Sequence, residues 1–325
     1  MAVISDAQSP QISVGIPVYN NERYLEQSLR STCAQTYDDF EVVICDNASD
    51  DRTGQICQDY AARDKRIRYF RNEVNIGGAR NFNRVFQLCR GKYHKWSPAD
   101  DFVDTTLLGK AKDVLDKDPE VVLCYPKTTL INENGEIISH YEDNLHLQHP
   151  FPSQRFIQLL NTIGLCHAHL GLIRREILSR SGLFGDEQGS DVHLLAELSL
   201  YGKFFVLPEL LYFRRYHVGS SSWNRHDDDR QQSYYDPKRK TYFGMQTWKK
   251  YHKLVAVVER APIGASEKWR LFRYLGRQIR WDRATLGREI LERWKHGADS
   301  LMCNYRQFFH CNTNINPEHI EAAES

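Results

Sequence analysis

No Cys-x-x-Cys pair occurs in this chain of 325 residues, nor any apolar run long enough to cross a bilayer, nor an internal repeat or low-complexity tract. The eight cysteines, at 33, 45, 57, 89, 124, 166, 303 and 311, are scattered, and several sit inside apolar runs such as Val42-Val43-Ile44-Cys45. A cysteine in such a run behaves as a small hydrophobe, so reduced thiols in a cytoplasmic protein are expected. The longest aliphatic runs, for example Leu254–Val258, fall far short of the roughly 20 residues of a spanning helix. Met1–Gln11 has neither an apolar core nor a basic start, which argues against a secretory signal. No Gly-rich phosphate fingerprint follows the first apolar run, so neither a dinucleotide-binding Rossmann motif nor a P-loop is present.

With 41% hydrophobic and 12% aromatic residues the chain can bury a sizeable core, and its length suits one large α/β unit plus an extension. The net charge of +1 hides an asymmetry. Lys238–Lys295 holds 16 Lys+Arg against 5 Asp+Glu, a net of +11, so the remainder carries −10. An acidic front and a basic rear third suggest different partners for each.

Ile12–Val18 reads as a buried strand that leaves through Pro17, Tyr19 and Asn20, with Asn20 or Asn21 placed to cap the helix that follows. That helix sets Tyr24, Leu25, Leu29, Thr32 and Cys33 on one stripe. Strand Phe40–Cys45 ends in Asp46-Asn47-Ala48-Ser49-Asp50-Asp51, and a helix runs from about Thr53 to Arg63. Strand Ile67–Phe70 precedes Asn75-Ile76-Gly77-Gly78-Ala79-Arg80-Asn81 and a helix to Cys89; strand Lys92–Ser97 runs into Pro98-Ala99-Asp100-Asp101. This alternation predicts a parallel sheet with helices on both faces.

Beyond strand Val121–Tyr125 the rhythm changes. Asn134-Gly135 stands between two apolar-alternating arms in Leu130–Ser139, a two-residue hairpin signal. An apolar stretch follows at Ala168–Ile173, with a strand expected just after His167 and His169; the region near Asp191–Tyr201 reads as a helix, and Lys203–Leu207 and Leu210–Tyr216 as strand-like runs. The acidic Asp227-Asp228-Asp229 after Trp223 reads as a linker to a helical, basic, tryptophan-rich rear.

In a parallel sheet, ligands bind outside the carboxyl ends of the strands. Three polar clusters leave those ends: Pro17-Val18-Tyr19-Asn20, Asp46-Asn47 and Asp100-Asp101. Two acidic clusters beside an early helix N-terminus suit a nucleotide with a metal-bound diphosphate, one carboxylate accepting from base or ribose and another holding a hard cation. Without a phosphate loop, the phosphate charge falls to the metal and to Arg80. Each feature also has a plainer explanation: Pro-x-Tyr-Asn as a capped turn, and Asp100-Asp101 as a cap for a helix near Asp104.

"SVGIPVYNNERYLEQSLRSTCAQTYDDFEVVICDNASDDRT" (Ser13–Thr53) resembles the opening of a family 2 glycosyltransferase of the GT-A fold. "NIGGARN" (Asn75–Asn81) is similar to that family's next segment, and "KWSPADDF" (Lys95–Phe102) stands where its DxD motif belongs. "GSDVHLLAELSLYGKFFVLPELLYFRRYHVGSSS" (Gly189–Ser222) resembles its acceptor-side segment. The resemblance, about two-thirds of the chain, implies a GT-A catalytic domain over 1–224, with a nucleotide-sugar half at about 12–103 and an acceptor half at about 104–224. A basic, Trp-rich helical extension would occupy 225–325. It also implies inverting transfer of a sugar from a UDP-, GDP- or TDP-linked donor to an acceptor hydroxyl, with Mg2+ or Mn2+.

By position, the resemblance implies that Pro17, Tyr19 and Glu22 shape the nucleotide pocket, that Asp46 with Asn47 holds the base, and that Arg80 lies near ribose or diphosphate. Many relatives have Asp-x-Asp-Asp where this chain has Pro98-Ala99-Asp100-Asp101, so the first carboxylate is missing. Asp100 then stands as nucleotide-sugar contact and metal ligand, Asp101 as its support, and His217 as a late metal or diphosphate ligand. Asp191 matches the position of the catalytic base, with Asp186 and Glu187 as rivals and helix capping as the plainer role. His167 and His169 form an HxH without an obvious third ligand, which suits a structural or acceptor-lining place.

The expected acceptor is a glycan or lipid-linked sugar in polysaccharide or glycoconjugate assembly at the cytoplasmic membrane face; nucleic acid is not expected as a partner. Trp248, Trp269, Trp281 and Trp294 leave two readings open: an anionic membrane surface, or a cap whose tryptophans pack on the catalytic domain. Three other functions compete. A sugar nucleotidyltransferase would need a Gly-rich basic loop that is absent. A glycoside hydrolase would need two carboxylates about 5–10 Å apart around a sugar cleft. A non-catalytic nucleotide-sugar-binding scaffold draws only on the missing first acid.

Overall fold

The computed structural model describes residues 9–220, 234–235, 237 and 244–295. The triple aspartate 227–229, Trp223, Cys303 and Cys311 lie outside those residues. The first strand, β1 (Ile12–Val18), is buried at every position. Such unbroken burial fits a central strand of a parallel sheet, covered on both faces. Its chain continues through α1 (Leu25–Cys33), β2 (Phe40–Asp46), α2 (Thr53–Arg63), β3 (Ile67–Arg71), α3 (Gly78–Leu88) and β4 (Tyr93–Trp96). β1 pairs parallel with β2 on one side and with β4 on the other, and β2 pairs parallel with β3. The expected alternation and its parallel sheet are therefore present from β1 to β4.

The chain after β4 extends the same sheet in mixed directions. It comprises β5 (Phe102–Val103), α4 (Leu107–Lys117), β6 (Val121–Ile131), β7 (Ile137–Tyr141), α5 (Pro152–Thr162), a 3-10 turn (His167–Leu170), β8 (Leu172–Arg174), α6 (Arg175–Ser179), α7 (Ser190–Tyr201) and β9 (Lys203–Arg215). The strand order is β3-β2-β1-β4-β8-β6-β9-β5, with β7 beside β6. β8 runs antiparallel to both β4 and β6, while β6 and β9 are parallel.

Three local expectations are corrected. Neither Asn20 nor Asn21 caps α1 through its side chain. Asn20, at φ +45°, accepts from Asp50 N through Oδ1 (3.0 Å) and so ties the exit of β1 to the loop after β2. The Asn134-Gly135 hairpin forms, but Asn132 N bonds Glu136 O and Gly135 N bonds Asn132 O, closing three residues with Gly135 at φ +88°. A turn followed by one left-handed residue relieves strand twist as well as a two-residue turn does, and only glycine enters that region without strain. The strand expected just after His167 and His169 is present as β8, and the buried Asp143 carboxylate takes the N–H groups of Cys166 and Ala168 and bends the chain into the 3-10 turn before it. The runs Lys203–Leu207 and Leu210–Tyr216 form one 13-residue strand, β9 (Lys203–Arg215), rather than two.

The rear forms α8 (Gln246–Arg260), α9 (Ala265–Trp281) and a further helix over 283–295. Leu254, Val257, Val258, Leu271 and Leu275 are buried, each contributing about 1.5–3 kcal/mol. Arg260 meets the buried Glu197 of α7 at 2.6 Å, Glu267 accepts from Ser153 N, and Tyr274 OH donates to Asn161 of α5. The extension is thus docked on α5 and α7. The tryptophans do not make that contact: Trp269, Trp281 and Trp294 are 59%, 84% and 73% exposed. No described helix is long and apolar enough to cross a membrane.

Candidate active site

The carboxyl ends of β1, β2 and β4 open into a cleft of about 760 Å³ lined from both halves. One wall is Pro17 to Tyr24 with Asn47, Asn75, Gly78, Ala79, Asn81 and Phe82; the other is Gly164 to His167, His169 and Gln188 to Val192. Pro17 explains how the first strand reaches it. The β1–β4 ladder ends at the Gly15–Trp96 rung, so the missing N–H of Pro17 costs no bond to β4, and its ring turns Tyr19 out to the rim, 47% exposed.

Asp100 and His217 meet at the seam, with Oδ2 and Nε2 3.1 Å apart. Burial works against ionisation of Asp100, but the His217 hydrogen bond and the Arg214 charge outweigh it and hold its pKa below the usual range. Gly219 N donates to His217 Nδ1, and the ring packs 4.8 Å from that of Tyr24. Asp101, one residue on, points away from the cleft. Its carboxylate is buried and accepts from Tyr212 OH, Arg215 N (2.8 Å) and Arg214 Nη1 (3.3 Å). Burial pushes Asp101 up to about 6, with Arg214 pulling down and Asp100 pushing up. Asp101 supports the site through Arg214, which lines the cleft. Neighbouring Lys95 is buried in β4 and donates to Trp96 O and Leu170 O; burial brings its amine down to about 7.

Alternation along β2 separates Asp46 from Asn47. Asp46, expected to hold the base, is fully buried beneath the cleft and accepts from Tyr69 OH (2.8 Å), Arg71 Nη1 (2.6 Å) and Ser49 N (2.9 Å). Asn47 faces the cleft instead, accepting from Asn72 and Ile76 N and donating to Asn75. Glu22 lies on the rim and accepts from Arg52 N and Nε. Arg80 is not in the cleft wall: it projects from α3 and pairs with Asp186 at 2.8 Å, both about half exposed. Glu187, the other rival base, is held by His193 (3.2 Å) and Lys253 (3.6 Å). Of the three acids, only Asp191 lines the cleft. It sits in the first turn of α7, where Oδ1 accepts from Val192 N. His167 and His169 line the same wall.

Several lining residues were not singled out from sequence. Arg214 was visible only as half of an Arg-Arg pair whose alternation on β9 decides which one faces the site. Tyr234 and Tyr235 arrive from beyond the acceptor half and close over Gly77 and Gly78. A Cβ on Gly77 would stand 2.3 Å from Tyr235 O, and one on Gly78 would stand 2.5 Å from the Tyr234 ring. The glycine pair therefore serves close packing. Buried polar atoms of Asn21 (Oδ1), Tyr24 (OH) and Arg214 (Nε), all in lining residues, have no hydrogen-bond partner among the described residues. Native structures seldom leave such atoms unpaired away from a ligand site.

The donor set suits a hard divalent cation through the Asp100 carboxylate; His217, whose Nδ1 accepts from Gly219 N and whose Nε2 gives its proton to Asp100, would join as a ligand only by giving up that pairing.

A 142-residue stretch of the chain is 30% identical to an uncharacterised glycosyltransferase of Methanocaldococcus jannaschii, covering 43% of this chain and 49% of that one. A 220-residue stretch is 27% identical to the chondroitin synthase of Escherichia coli, covering 67% of this chain and 31% of the synthase. The chain thus spans about half or less of the length of these relatives. Among solved structures, TarS 1-349 of Staphylococcus aureus in complex with UDP-GlcNAc superposes with a TM-score of 0.60 at 20% identity, over 84% of this chain and 74% of that one. The mannosyltransferase PcManGT of Pyrobaculum calidifontis in complex with GDP-Man and Mn2+ gives 0.52 at 18% identity, over 93% and 81%. Both likenesses bear on the fold, which is GT-A. The family model of glycosyl transferase family 2 matches residues 13–182, just over half of the chain, and the chain belongs to that family.

Proposed function

We propose that the protein transfers a glycosyl group, with inversion, from a nucleoside-diphosphate sugar to an acceptor hydroxyl of a glycan or lipid-linked sugar in polysaccharide or glycoconjugate assembly. The observation that carries this reading is the single cleft in which the Asp100–His217 pair and Arg214 lie between the Pro17–Tyr24 wall and Asp191. Asn47 and the Tyr19 rim would hold the nucleoside, and the Arg214 guanidinium would face the diphosphate. Asp100 and His217 would hold Mg2+ or Mn2+, which when bound would neutralise charge developing on the leaving diphosphate. Asp191 would take the proton from the acceptor hydroxyl, on the side of the sugar opposite the diphosphate.

Calorimetric titration with UDP, GDP and TDP, with and without Mn2+, tests the donor side. One nucleotide is expected to bind in a Mn2+-dependent way, and Asp100→Ala is expected to weaken it at least about tenfold, or 1.4 kcal/mol. Equal Mn2+-dependent binding by the variant would remove Asp100 from the site. A folded wild type that binds none of the three would sink the transferase reading, and binding without transfer would support the scaffold.

The exposed face of the extension supports a second part of the reading, attachment to an anionic membrane surface. Residues 246–295 carry 13 Lys+Arg against 5 Asp+Glu, and Trp269, Phe272, Trp281, Leu291 and Trp294 are exposed among them. Basic aromatic helices of this kind lie in the headgroup region. The full chain is expected to float with phosphatidylglycerol-containing vesicles, less so in high salt, and not with phosphatidylcholine alone. Loss of flotation in Trp281→Ala/Trp294→Ala would confirm the face; undiminished flotation would move it elsewhere.

A further inference from the structure

Cys166, His169 and Asp191 each offer a ligand atom to one place in the cleft wall, and the three atoms lie within 4.8 Å of one another. Of the six described cysteines, only Cys166 lines the cleft. The turn that carries it is firmly held. Cys166 has φ +66°, a left-handed conformation that a non-glycine residue keeps only when its surroundings impose it. Here the buried Asp143 imposes it: Oδ1 accepts from Cys166 N (3.0 Å) and Tyr141 OH (2.6 Å), and Oδ2 from Ala168 N (2.7 Å).

His169 is oriented by the same turn. Its Nδ1 lies 2.5 Å from Cys166 O, an atom that can only accept, so the ring proton sits on Nδ1 and the lone pair on Nε2. Metal-binding histidines are held in this way, one ring N–H given to a carbonyl and the other nitrogen presented to the ion. On the far side, the only hydrogen bond from a described residue to the Asp191 carboxylate comes from Val192 N to Oδ1. An imidazole that keeps its Nε2 lone pair and a carboxylate close by share nothing until a cation or an O–H group comes between them.

We propose that Cys166 Sγ, His169 Nε2 and the Asp191 carboxylate form a second cation site, separate from the Asp100–His217 pair, that takes Zn2+ and thereby withholds Asp191 from the acceptor. Thiolate and imidazole select zinc over Mg2+ and Mn2+, and three protein ligands leave the fourth tetrahedral position open to the cleft. Zinc–sulfur and zinc–nitrogen bonds require donors roughly 3.5 Å apart, so the widest pair closes by about 1 Å on binding. The Cys166 thiol proton leaves to solvent as the Zn–S bond forms. The binding claim stands on the cluster alone; its effect on Asp191 rests on the transfer reading above.

The test uses the metal-free full chain and Co2+ as a spectroscopic stand-in for Zn2+. One equivalent of Co2+ is expected to give a thiolate charge-transfer band that Zn2+ abolishes. Cys166→Ser should lose the band, and His169→Gln should weaken Zn2+ binding by more than the about 10- to 100-fold typical of a lost supporting partner. Asp100→Ala should keep the band. In transfer assays with Mn2+ saturating, Zn2+ should slow the wild type relative to its own zinc-free rate and should leave Cys166→Ser at its own. A folded wild type without the band, or a band that survives Cys166→Ser, overturns the proposal. Should Cys166→Ser fail to fold by circular dichroism, unchanged zinc affinity in His169→Gln overturns it equally. Absence of transfer under all conditions would refute the function and leave the cobalt band to decide the site.

Discussion

Asp191→Asn is expected to transfer sugar about 10³ times more slowly than the wild type while binding nucleotide and Mn2+ equally well. A positioned general base is worth about 10²–10⁴ in rate, and the amide removes the base without changing the shape of the residue. Asn keeps the Oδ1 acceptor for Val192 N, so the first turn of α7 should stay intact. The rival acids make the contrast sharp. Asp186 is engaged by Arg80 and Glu187 by His193 and Lys253, so Asp186→Asn should leave kcat within a few-fold of wild type. The measurement is kcat alongside calorimetric nucleotide affinity for both variants. An Asp191→Asn enzyme with near-normal kcat would pass the base role to another group. A loss of nucleotide affinity in step with kcat would make Asp191 a donor-side residue.

Asp101→Ala is expected to lose about 3–5 kcal/mol of stability and about 10 °C in Tm, whereas Asp100→Ala should melt close to the wild type. The two aspartates are neighbours in sequence and opposites in surroundings. The raised pKa of Asp101 shows that its carboxylate is costly to bury. Its removal is costlier, because the Arg214 guanidinium, Tyr212 OH and Arg215 N lose the group they donate to. Asp100 gives up one hydrogen bond, to His217, and a share of the Arg214 charge, while Arg214 keeps Asp101 as its partner. Thermal melts of both variants at neutral pH decide the matter. Coincident melting curves would show that Asp101 is not the anchor of β9 and Arg214.

Much of the nucleotide half was legible because period, polarity and turn residues agree there: the apolar runs of β1 and β2 and the polar tips after them were placed within a residue or two. The cleft was legible as a set of segments and less so as a set of side chains. One step of strand alternation sends Asp46 under the sheet and Asn47 into the cleft, and a strand tip does not reveal where its alternation stops. Arg80 sits in the right segment, but its position on α3 turns it toward Asp186. The 3-10 turn at His167 depends on Asp143, 23 to 25 residues upstream of the N–H groups it captures, and no local pattern carries that information. The tryptophans of the extension were correctly noticed, yet aliphatic residues and Tyr274 on the other face make the contact with α5 and α7.

The close fit of Tyr234 and Tyr235 over Gly77 and Gly78 ties two stretches of chain together in inheritance as well as in space. Any side chain gained at 77 or 78 collides with the tyrosine pair, and any shift of that pair reopens the donor side of the cleft. The four positions are therefore bound to drift jointly or not at all. A chimaera that joins the catalytic region to another relative's rear segment should take all four from one parent, even though the recognisable motifs end before the tyrosines begin.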